Sequence, residues 1–287
     1  MRHATATATS SLKTTNGTSL HTESWLPDAD VKAVVLIVHG LGEHIGRYAH
    51  VAELLVAHGY AVYGIDHLGH GKSTGLRGHV ANIQGLVDDL KTYFDSIRAA
   101  QVDKPIFIYG HSMGALIGLA FVLRFQTEVA GFVSSGTALN SDAGQPTPVL
   151  ALLRALNRIA PTMPMVKLPA GGLTRDADMV AAYDSDPLNY RGGHRVGTAH
   201  SIVQACQAAR QELSELTLPL FVIHGGADKI TPVSGSQLLY DSAASADKTL
   251  KIYPDMYHEP HNSPERDTVL ADIAAWLDAH NTSTKAD

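Results

Sequence analysis

Short apolar runs alternate along this chain with longer segments in which apolar residues recur every three or four positions. Residues 34–38 are a continuous, mostly β-branched run, which is typical of a strand buried on both faces of a sheet. Further strands are predicted at 60–65, 105–109, 129–134, 220–224 and 249–253. Because strands and helices alternate, the pattern predicts a mostly parallel sheet with helices on both faces, the α/β class.

The segments between these runs predict helices. Residues 83–97 show the helical spacing clearly, with one apolar face formed by Ile83, Leu86, Val87, Leu90, Phe94 and Ile97. Gly59 directly follows the helical segment 48–58, and glycine commonly ends a helix. Three further helices are predicted at 113–125, near 202–213 and at about 265–280.

The alternation stops after residue 139 and resumes near residue 197. The intervening residues 140–196 are punctuated by proline and glycine and contain no convincing strand, but an apolar helical stretch occupies 149–159. We interpret residues 140–196 as a helical lid, or cap, inserted into a single sheet domain. The predicted organisation is a core of residues 19–139 and 197–280, a flexible N-terminal tail of residues 1–18 and a C-terminal tail of residues 281–287.

Composition narrows the class of protein. The chain has 287 residues, of which 45% are hydrophobic and 17% charged, so it can bury a large core and is not disordered over most of its length. The formal net charge of -6 provides no positive field for a phosphate backbone, so we expect no nucleic-acid partner. The single cysteine, Cys206, excludes an internal disulfide and a cysteine-based zinc site.

The sequence contains no segment that is typical of membrane insertion or secretion. No apolar run approaches the ~18 residues of a membrane span. The first eighteen residues, rich in Ala, Thr and Ser, lack the apolar stretch of a secretory signal. We therefore expect a soluble, cytoplasmic protein.

The pentapeptide GHSMG at residues 110–114 fits the pattern G-x-S-x-G. It lies directly between a predicted strand and a predicted helix, where a sharp turn exposes the serine hydroxyl above the sheet and needs glycine on both sides. Ser112 also lies at the positive end of the helix dipole, which favours developing negative charge. These features predict Ser112 as a nucleophile, and the alternative is an ordinary glycine-rich turn.

To act as a nucleophile, a serine hydroxyl needs a base that takes its proton and an acid that orients the base. In proteins with a serine on such a strand-to-helix turn, these residues follow in the chain order Ser, acid, His. Asp228 follows a predicted strand and a glycine turn, and is the predicted acid. Three other carboxylates remain as alternatives: Asp184, Asp186 and Asp255. His258 lies in the loop after the last strand and is the predicted base, with His261 as its nearby alternative.

The anionic oxygen of an acyl-transfer intermediate needs two backbone N–H donors. One donor is the N–H of Met113, the residue after the nucleophile. The other is the N–H of Leu41, in the loop that follows strand 34–38 and begins with His39-Gly40. We therefore predict these two amides as the oxyanion hole. Because main-chain groups donate, the identity of these two side chains matters little to the prediction.

Sixteen histidines raise the question of a metal site. The predicted loops at the carboxyl ends of the strands contain His39, His44, His67, His70, His79, His111, His258 and His261. No H-E-x-x-H helix occurs, so we interpret most of these side chains as structural hydrogen-bonding groups and expect no metal and no cofactor. The run Gly71-Lys72-Ser73 lacks the earlier glycine of a phosphate-binding loop, because position 66 is aspartate, and a rigid turn is the structural interpretation.

Residues 39–48, HGLGEHIGRY, resemble the HGxGEHxGRY signature of the monoacylglycerol lipase family of α/β-hydrolases. Further matches are DHLGHGKS at 66–73 with Gly75 and Arg77, GHSMG, SDPL at 185–188 with Arg191, GADKITP and YHEPH. The resemblance extends from about residue 19 to 278. It implies an α/β-hydrolase fold with Ser112, Asp228 and His258 as the triad, Leu41 and Met113 as the oxyanion hole, and Glu43, Arg47 and Tyr183 near the glycerol end of the substrate.

The combined prediction is a serine ester hydrolase that cleaves monoacylglycerol to glycerol and fatty acid through an acyl-enzyme. The alternatives are a broader carboxylesterase or lysophospholipase, a serine aminopeptidase that would need an acidic group in the lid, and a non-catalytic small-molecule receptor. The lid stretch 149–159 has two interpretations. It packs onto the core, or its exposed part makes transient contact with a membrane or micelle, where acyl substrates partition.

Overall fold

The computed structural model of the protein describes residues 6–14, 17–142 and 145–281. The strands are β1 (Ala8–Lys13), β2 (Ser19–Trp25), β3 (Ala33–Val38), β4 (Tyr60–Ile65), β5 (Ile106–His111), β6 (Gly131–Ser135), β7 (Pro164–Val166), β8 (His194–Arg195), β9 (Leu220–Gly225) and β10 (Lys248–Tyr253). The α-helices are α1 (Ala49–Ala57), α2 (Ile83–Ala100), α3 (Met113–Phe125), α4 (Thr147–Ile159), α5 (Ala177–Ser185), α6 (Val196–Glu212), α7 (Val233–Ser242) and α8 (Arg266–His280).

Eight strands form one sheet in the order β1-β2-β4-β3-β5-β6-β9-β10. From β4 to β10 all neighbours are parallel, whereas β1 and β2 pair antiparallel. The register pairs Val38 with Gly110 and Gly110 with Ser134, so β3, β5 and β6 end side by side. The loops after β3, β5, β9 and β10 therefore meet at one edge of the sheet. The predicted α/β class with a mostly parallel sheet is confirmed.

Helices cover both faces of this sheet. Along β3, Val34, Leu36 and Val38 belong to one apolar core, and Val35 and Ile37 belong to the other. The first core includes side chains of α2, α3 and α6, and the second includes side chains of α1 and α8. Burial on both faces explains why the central strands read as continuous apolar runs in the sequence.

The predicted N-terminal tail contains a strand. Within residues 1–18, β1 pairs antiparallel with β2 from Ala8 opposite Ser24 to Lys13 opposite Ser19. Its side chains are mostly exposed and polar, so it has no hydrophobic pattern, and main-chain hydrogen bonds to β2 hold it at the sheet edge. Residues 1–5, 15–16 and 282–287 lie outside the described residues, including all but the first residue of the predicted C-terminal tail.

The region between β6 and α6 departs from the prediction in one respect. It contains α4, as the apolar stretch predicts, but also α5 and a short antiparallel pair formed by β7 and β8. The strands are two or three residues long, which is too short to give a period of alternation. Helix α6 begins at Val196, earlier than predicted. Its first two turns bury the small or polar residues Gly197, Thr198 and Ser201, so they show no apolar pattern in the sequence.

Helix α7 was not predicted from the pattern, since it buries only Gly235, Ser236 and Leu239. Within the described part of the chain, no helix is both long and apolar enough to cross a bilayer.

Candidate active site

Ser112 alone connects β5 to α3 at the centre of the sheet edge. Its backbone has φ 55° and ψ −118°, a left-handed conformation that is rare for a residue with a side chain and costs about 1–3 kcal/mol. The Ser112 N–H donates to the Ser135 carbonyl at 2.9 Å. A Cβ added at Gly110 would lie 2.6 Å from the Gly114 carbonyl oxygen, so the turn requires glycine there. The strained turn directs the hydroxyl away from the sheet.

A chain of hydrogen bonds links Ser112 to a histidine and an aspartate. His258 Nδ1 donates to Asp228 Oδ2 at 2.7 Å, which leaves Nε2 as an acceptor for the Ser112 hydroxyl at 2.8 Å. His258 is buried, and the Asp228 side chain has no exposed surface. The structure therefore brings together the three residues that chain order picked out as nucleophile, base and acid.

The Asp228 carboxylate is surrounded by donors. Besides His258, Oδ2 accepts from His224 Nε2 at 3.0 Å and from the Thr231 hydroxyl at 2.9 Å. Oδ1 accepts from the N–H groups of Ile230 and Thr231 at 2.7 and 3.0 Å. Burial alone would raise the pKa of Asp228, but the hydrogen bonds from His224 and His258 hold this pKa well below its ordinary value. The carboxylate is therefore ionised when it holds His258.

Leu41 and Met113, the two residues predicted to form the oxyanion hole, both line the apolar cavity together with Ser112. Met113 is the first residue of α3, whose first N–H groups have no partner within the helix. His39 Nδ1 donates to the Gly40 carbonyl at 2.7 Å. Because C=O and N–H point in opposite directions across a trans peptide, this bond also orients the N–H of Leu41. A Cβ on Gly40 would lie 3.3 Å from Ser112 Cβ, so the loop passes directly beside the serine.

Glu43, Arg47 and Tyr183 lie beside the same loop, together with Glu259. Arg47 contacts Glu43 through Nη1 and binds both carboxylate oxygens of Glu259 at 2.7 Å. The Arg47 guanidinium lies over the Tyr183 ring at 4.9 Å from its centre. Burial raises the pKa of Glu43, whereas Arg47 overrides the same effect at Glu259 and lowers its pKa.

Ser112 lies between a large apolar cavity and a small polar one. The apolar cavity has a volume of about 490 Å³ and is lined mainly by α4, α6 and the loop between β6 and α4. The polar cavity has a volume of about 20 Å³, and Glu43, Arg47, Tyr183 and His258 contribute to its wall. Ser112, Leu41 and Leu168 line both cavities. One side of the serine thus has room for an apolar chain, and the wall on the other side includes charged and polar side chains.

The alternative acids and base lie elsewhere. Asp184 and Asp255 are exposed, and Asp186 accepts from His44 Nε2 at 2.8 Å. His261 is fully buried, with Nδ1 3.2 Å from the Tyr109 hydroxyl, and burial lowers its pKa to about 3. None of these four side chains hydrogen-bonds to Ser112 or His258 in the described structure.

Several of the other loop histidines hydrogen-bond to the main chain. His39 Nε2 accepts from the His67 N–H at 3.0 Å, and His70 Nδ1 donates to the Leu68 carbonyl at 3.1 Å. Asp66 accepts from the N–H groups of Ile45 and Lys72, each at 2.8 Å, which matches the rigid turn expected for this run. Among the described residues, no group of three or more His, Cys, Asp or Glu side chains has the geometry of a metal site.

Sequence reasoning missed three residues of this site: His39 as an orienting donor, His224 on the acid, and Glu259 on Arg47. One signal was available, since His39-Gly40 and His224-Gly225 both stand at strand ends. A histidine at such a position is buried under the next loop and meets its main-chain or side-chain acceptors.

A strained serine turn above a mostly parallel sheet, linked to a histidine and an aspartate from later loops, defines an α/β-hydrolase of the serine hydrolase class. The Hydrolase_4 family model, described as serine aminopeptidase S33, matches residues 29–265. A monoacylglycerol lipase of Mycolicibacterium smegmatis is 40% identical over 256 residues, covering 89% of this chain and 91% of that protein. The chain therefore belongs to the Hydrolase_4 family and, within it, to the monoacylglycerol lipases.

Two further comparisons agree with this placement. Monoglyceride lipase of Mus musculus is 34% identical over 266 residues, covering 91% of this chain and 88% of the mouse protein. The crystal structure of a Paleococcus ferrophilus monoacylglycerol lipase matches with a TM-score of 0.82 at 31% identity, covering 91% of this chain and 99% of that one. The family expected from the sequence motifs is confirmed.

Proposed function

We propose that the protein hydrolyses monoacylglycerol to glycerol and a free fatty acid, with Ser112 as nucleophile, His258 as base and Asp228 as orienting acid. The observation that carries this proposal is the 2.8 Å hydrogen bond from the Ser112 hydroxyl to His258 at the mouth of an apolar cavity of about 490 Å³. The names of the relatives support the substrate class.

Each group of the site has a role in one step of the proposed reaction. Ser112 attacks the ester carbonyl while its proton moves to His258 Nε2, and Asp228 stabilises the imidazolium that forms. The oxygen of the tetrahedral intermediate accepts hydrogen bonds from the N–H groups of Leu41 and Met113. His258 then protonates the departing glycerol oxygen. Water attacks the acyl-enzyme with His258 as base, and the fatty acid leaves Ser112.

The acyl and alcohol halves of the ester lie on opposite sides of Ser112, one toward each cavity. The apolar cavity takes the acyl chain, because its wall includes Leu150, Leu153 and Leu156 of α4 and Ile202 of α6. The alcohol leaves on the polar side, where Tyr183 lies. We also propose that residues 140–196 act as the lid, since α4 forms one wall of the apolar cavity above Ser112.

The description of the family as serine aminopeptidases raises the peptidase alternative. A peptidase of this type needs a carboxylate to hold the free amine of its substrate. Both carboxylates of the polar cavity, Glu43 and Glu259, are paired with Arg47, which argues against an amine site there. The complete serine, histidine and aspartate set likewise argues against a non-catalytic receptor.

A substrate panel tests the proposal. Rates would be measured on 1-monooleoylglycerol, dioleoylglycerol, a p-nitrophenyl ester, a lysophospholipid and an aminoacyl amide. We expect kcat/KM to be highest for the monoacylglycerol, with no turnover of the amide. A higher value for the lysophospholipid or amide would contradict the proposed substrate.

Replacing the nucleophile tests the chemistry. Ser112→Ala removes the attacking oxygen, so kcat should fall by roughly four to six powers of ten. The thermal midpoint should not fall, and labelling by a fluorophosphonate should be lost. A variant that keeps more than a tenth of wild-type activity would exclude Ser112 as the nucleophile.

We propose further that α4 brings the protein into transient contact with a lipid surface. Ile159 is 79% exposed and Leu152 59%, and neither has a covering partner in the described structure. Arg154 and Arg158 are exposed on the same helix, and residues 146–175 contain no acidic residue although the whole chain has a formal charge of -6. Apolar side chains beside cations suit an anionic bilayer or micelle.

A further inference from the structure

A buried arginine lies between two buried carboxylates beside Ser112. Arg47 is 8% exposed, Glu43 3% and Glu259 2%. The resemblance to the family implied a place for Glu43 and Arg47 near the glycerol end of the substrate. Their hydrogen bonds run instead to the protein itself.

On one side, Glu43 holds the loop that carries the oxyanion-hole residue Leu41. Its Oε1 accepts from the N–H of Gly40 at 2.6 Å and from the Tyr48 hydroxyl at 2.7 Å, while Oε2 contacts Arg47. The position of the Gly40–Leu41 peptide therefore depends on the position of the Glu43 carboxylate.

On the other side, Glu259 holds the loop that carries His258. Both of its oxygens accept from Arg47 at 2.7 Å, and Oε2 also accepts from Asn262 Nδ2 at 2.8 Å. The Glu259 N–H donates to the Leu173 carbonyl at 2.8 Å, which fixes the main chain next to His258. The His258 loop is thus tied to Arg47 through the residue that follows the histidine.

We propose that Arg47 is a positioning residue that sets the oxyanion-hole loop and the His258 loop at a fixed separation. This inference rests on the proposed function. The Arg47 guanidinium connects segments about 210 residues apart in the chain. The Tyr183 ring covers it, with 4.9 Å between the guanidinium carbon and the ring centre. An arginine suits this task because its planar fork binds one carboxylate through two parallel hydrogen bonds and still reaches the second, whereas a lysine ammonium cannot form the bidentate pair.

A positioning role and a glycerol-binding role give different kinetics. The test compares monodecanoylglycerol with p-nitrophenyl decanoate, which share the acyl chain and differ in the alcohol. Arg47→Met should lower kcat about 100-fold on both esters, with KM changed less than about threefold, because both loops serve every leaving group. A loss confined to the glyceride and expressed in KM, or an unchanged kcat on both esters, would overturn the inference.

A second variant is available if Arg47→Met does not fold. Glu259→Gln keeps the side-chain volume and removes one of two negative charges, and we expect about a tenfold loss of kcat on both esters. The double variant Arg47→Met/Glu259→Gln should lose no more than Arg47→Met alone, because Glu259 acts through Arg47. Multiplicative losses would show independent roles and contradict the proposal.

Matched controls separate this inference from the proposed function. Arg175→Met breaks the exposed ion pair with Glu265 and should leave both kcat values unchanged. If Ser112→Ala retains activity on both esters, the proposed function is wrong. If Ser112→Ala is inactive and both Arg47→Met and Glu259→Gln keep wild-type kcat, only the positioning role is wrong.

Discussion

At the scale of single residues, Asp228 illustrates how a buried carboxylate remains charged. It accepts from His224 and Thr231 as well as from His258, so its charge is compensated without a neighbouring cation. His224 is itself fixed, because the Ser236 hydroxyl donates to its Nδ1 at 2.7 Å. The acid is thereby oriented by a second fixed histidine as well as by His258.

Removal of this donor should weaken catalysis. His224→Leu leaves Asp228 Oδ2 with one donor fewer and frees the carboxylate to rotate away from His258. We expect kcat/KM for the monoacylglycerol to fall about tenfold, as for the loss of one hydrogen bond to a charged group. His224→Gln, which retains an N–H donor, should recover part of the loss. Equal activity of His224→Leu and wild type would contradict an orienting role.

At the scale of elements, the turn from β5 to α3 depends on how closely α3 passes β3. A Cβ at Gly114 would overlap the carbonyl oxygens of Val38 and His39, which are backbone atoms and do not move aside. Gly114→Ala should therefore lower the free energy of unfolding by about 1–3 kcal/mol or more. It should also reduce kcat by displacing Ser112.

The control for this substitution is another helical glycine. A Cβ at Gly85 in α2 would meet nothing within 4 Å. Gly85→Ala should raise the free energy of unfolding by roughly 0.5–1 kcal/mol, because alanine has the higher helix propensity. Urea unfolding measures both variants. A Gly114→Ala protein as stable as wild type would show that α3 does not pack this closely on β3.

Helix α4 is the element that would meet lipid. Ile159, the last residue of α4, and Met163, just after the helix, are exposed and do not line the apolar cavity. The double substitution Ile159→Ser/Met163→Ser should lower partitioning onto vesicles of phosphatidylglycerol at least fivefold, since each buried methylene contributes about 0.8 kcal/mol. Hydrolysis of a short soluble ester should be unaffected. Unchanged vesicle binding in a sedimentation assay would exclude this surface.

At the scale of the whole molecule, buried histidines make the fold sensitive to acid. Burial lowers the pKa of His67 and His261 to about 3 and of His70 and His194 to about 4. An unfolded histidine has a pKa of about 6.5, so between these values the unfolded chain binds more protons than the folded one. Stability is therefore full above about pH 6.5 and is lost as the pH falls below it.

The size of this effect is measurable. At pH 5 each such histidine lowers the free energy of unfolding by about 2 kcal/mol. The sum for four of them is comparable to the total free energy of unfolding of a typical domain, about 5–15 kcal/mol. The urea midpoint should fall steeply from pH 7.5 to pH 5 at constant salt. His70→Gln, which keeps a donor for the Leu68 carbonyl, should make the dependence shallower. A midpoint that is flat over this range would contradict the prediction.

The sequence alone determined the central sheet, since strands buried on both faces read as apolar runs whatever their partners are. It missed β1, an exposed edge strand that depends on main-chain hydrogen bonds to β2. It placed Ser112, Asp228 and His258 from chain order and local turns, because the carboxyl ends of parallel strands meet at one edge.

Only the tertiary structure decided which groups contact one another at that edge. Loop position favoured His258 over His261 and left the second as an alternative, and only the packing shows that one lies 2.8 Å from the Ser112 hydroxyl while the other is buried against Tyr109. Local spacing also does not indicate that Arg47 binds Glu259, which lies more than two hundred residues away in the chain. Periodicity reports what each segment buries, whereas such pairs depend on how separate segments pack, and that is set by the fold as a whole.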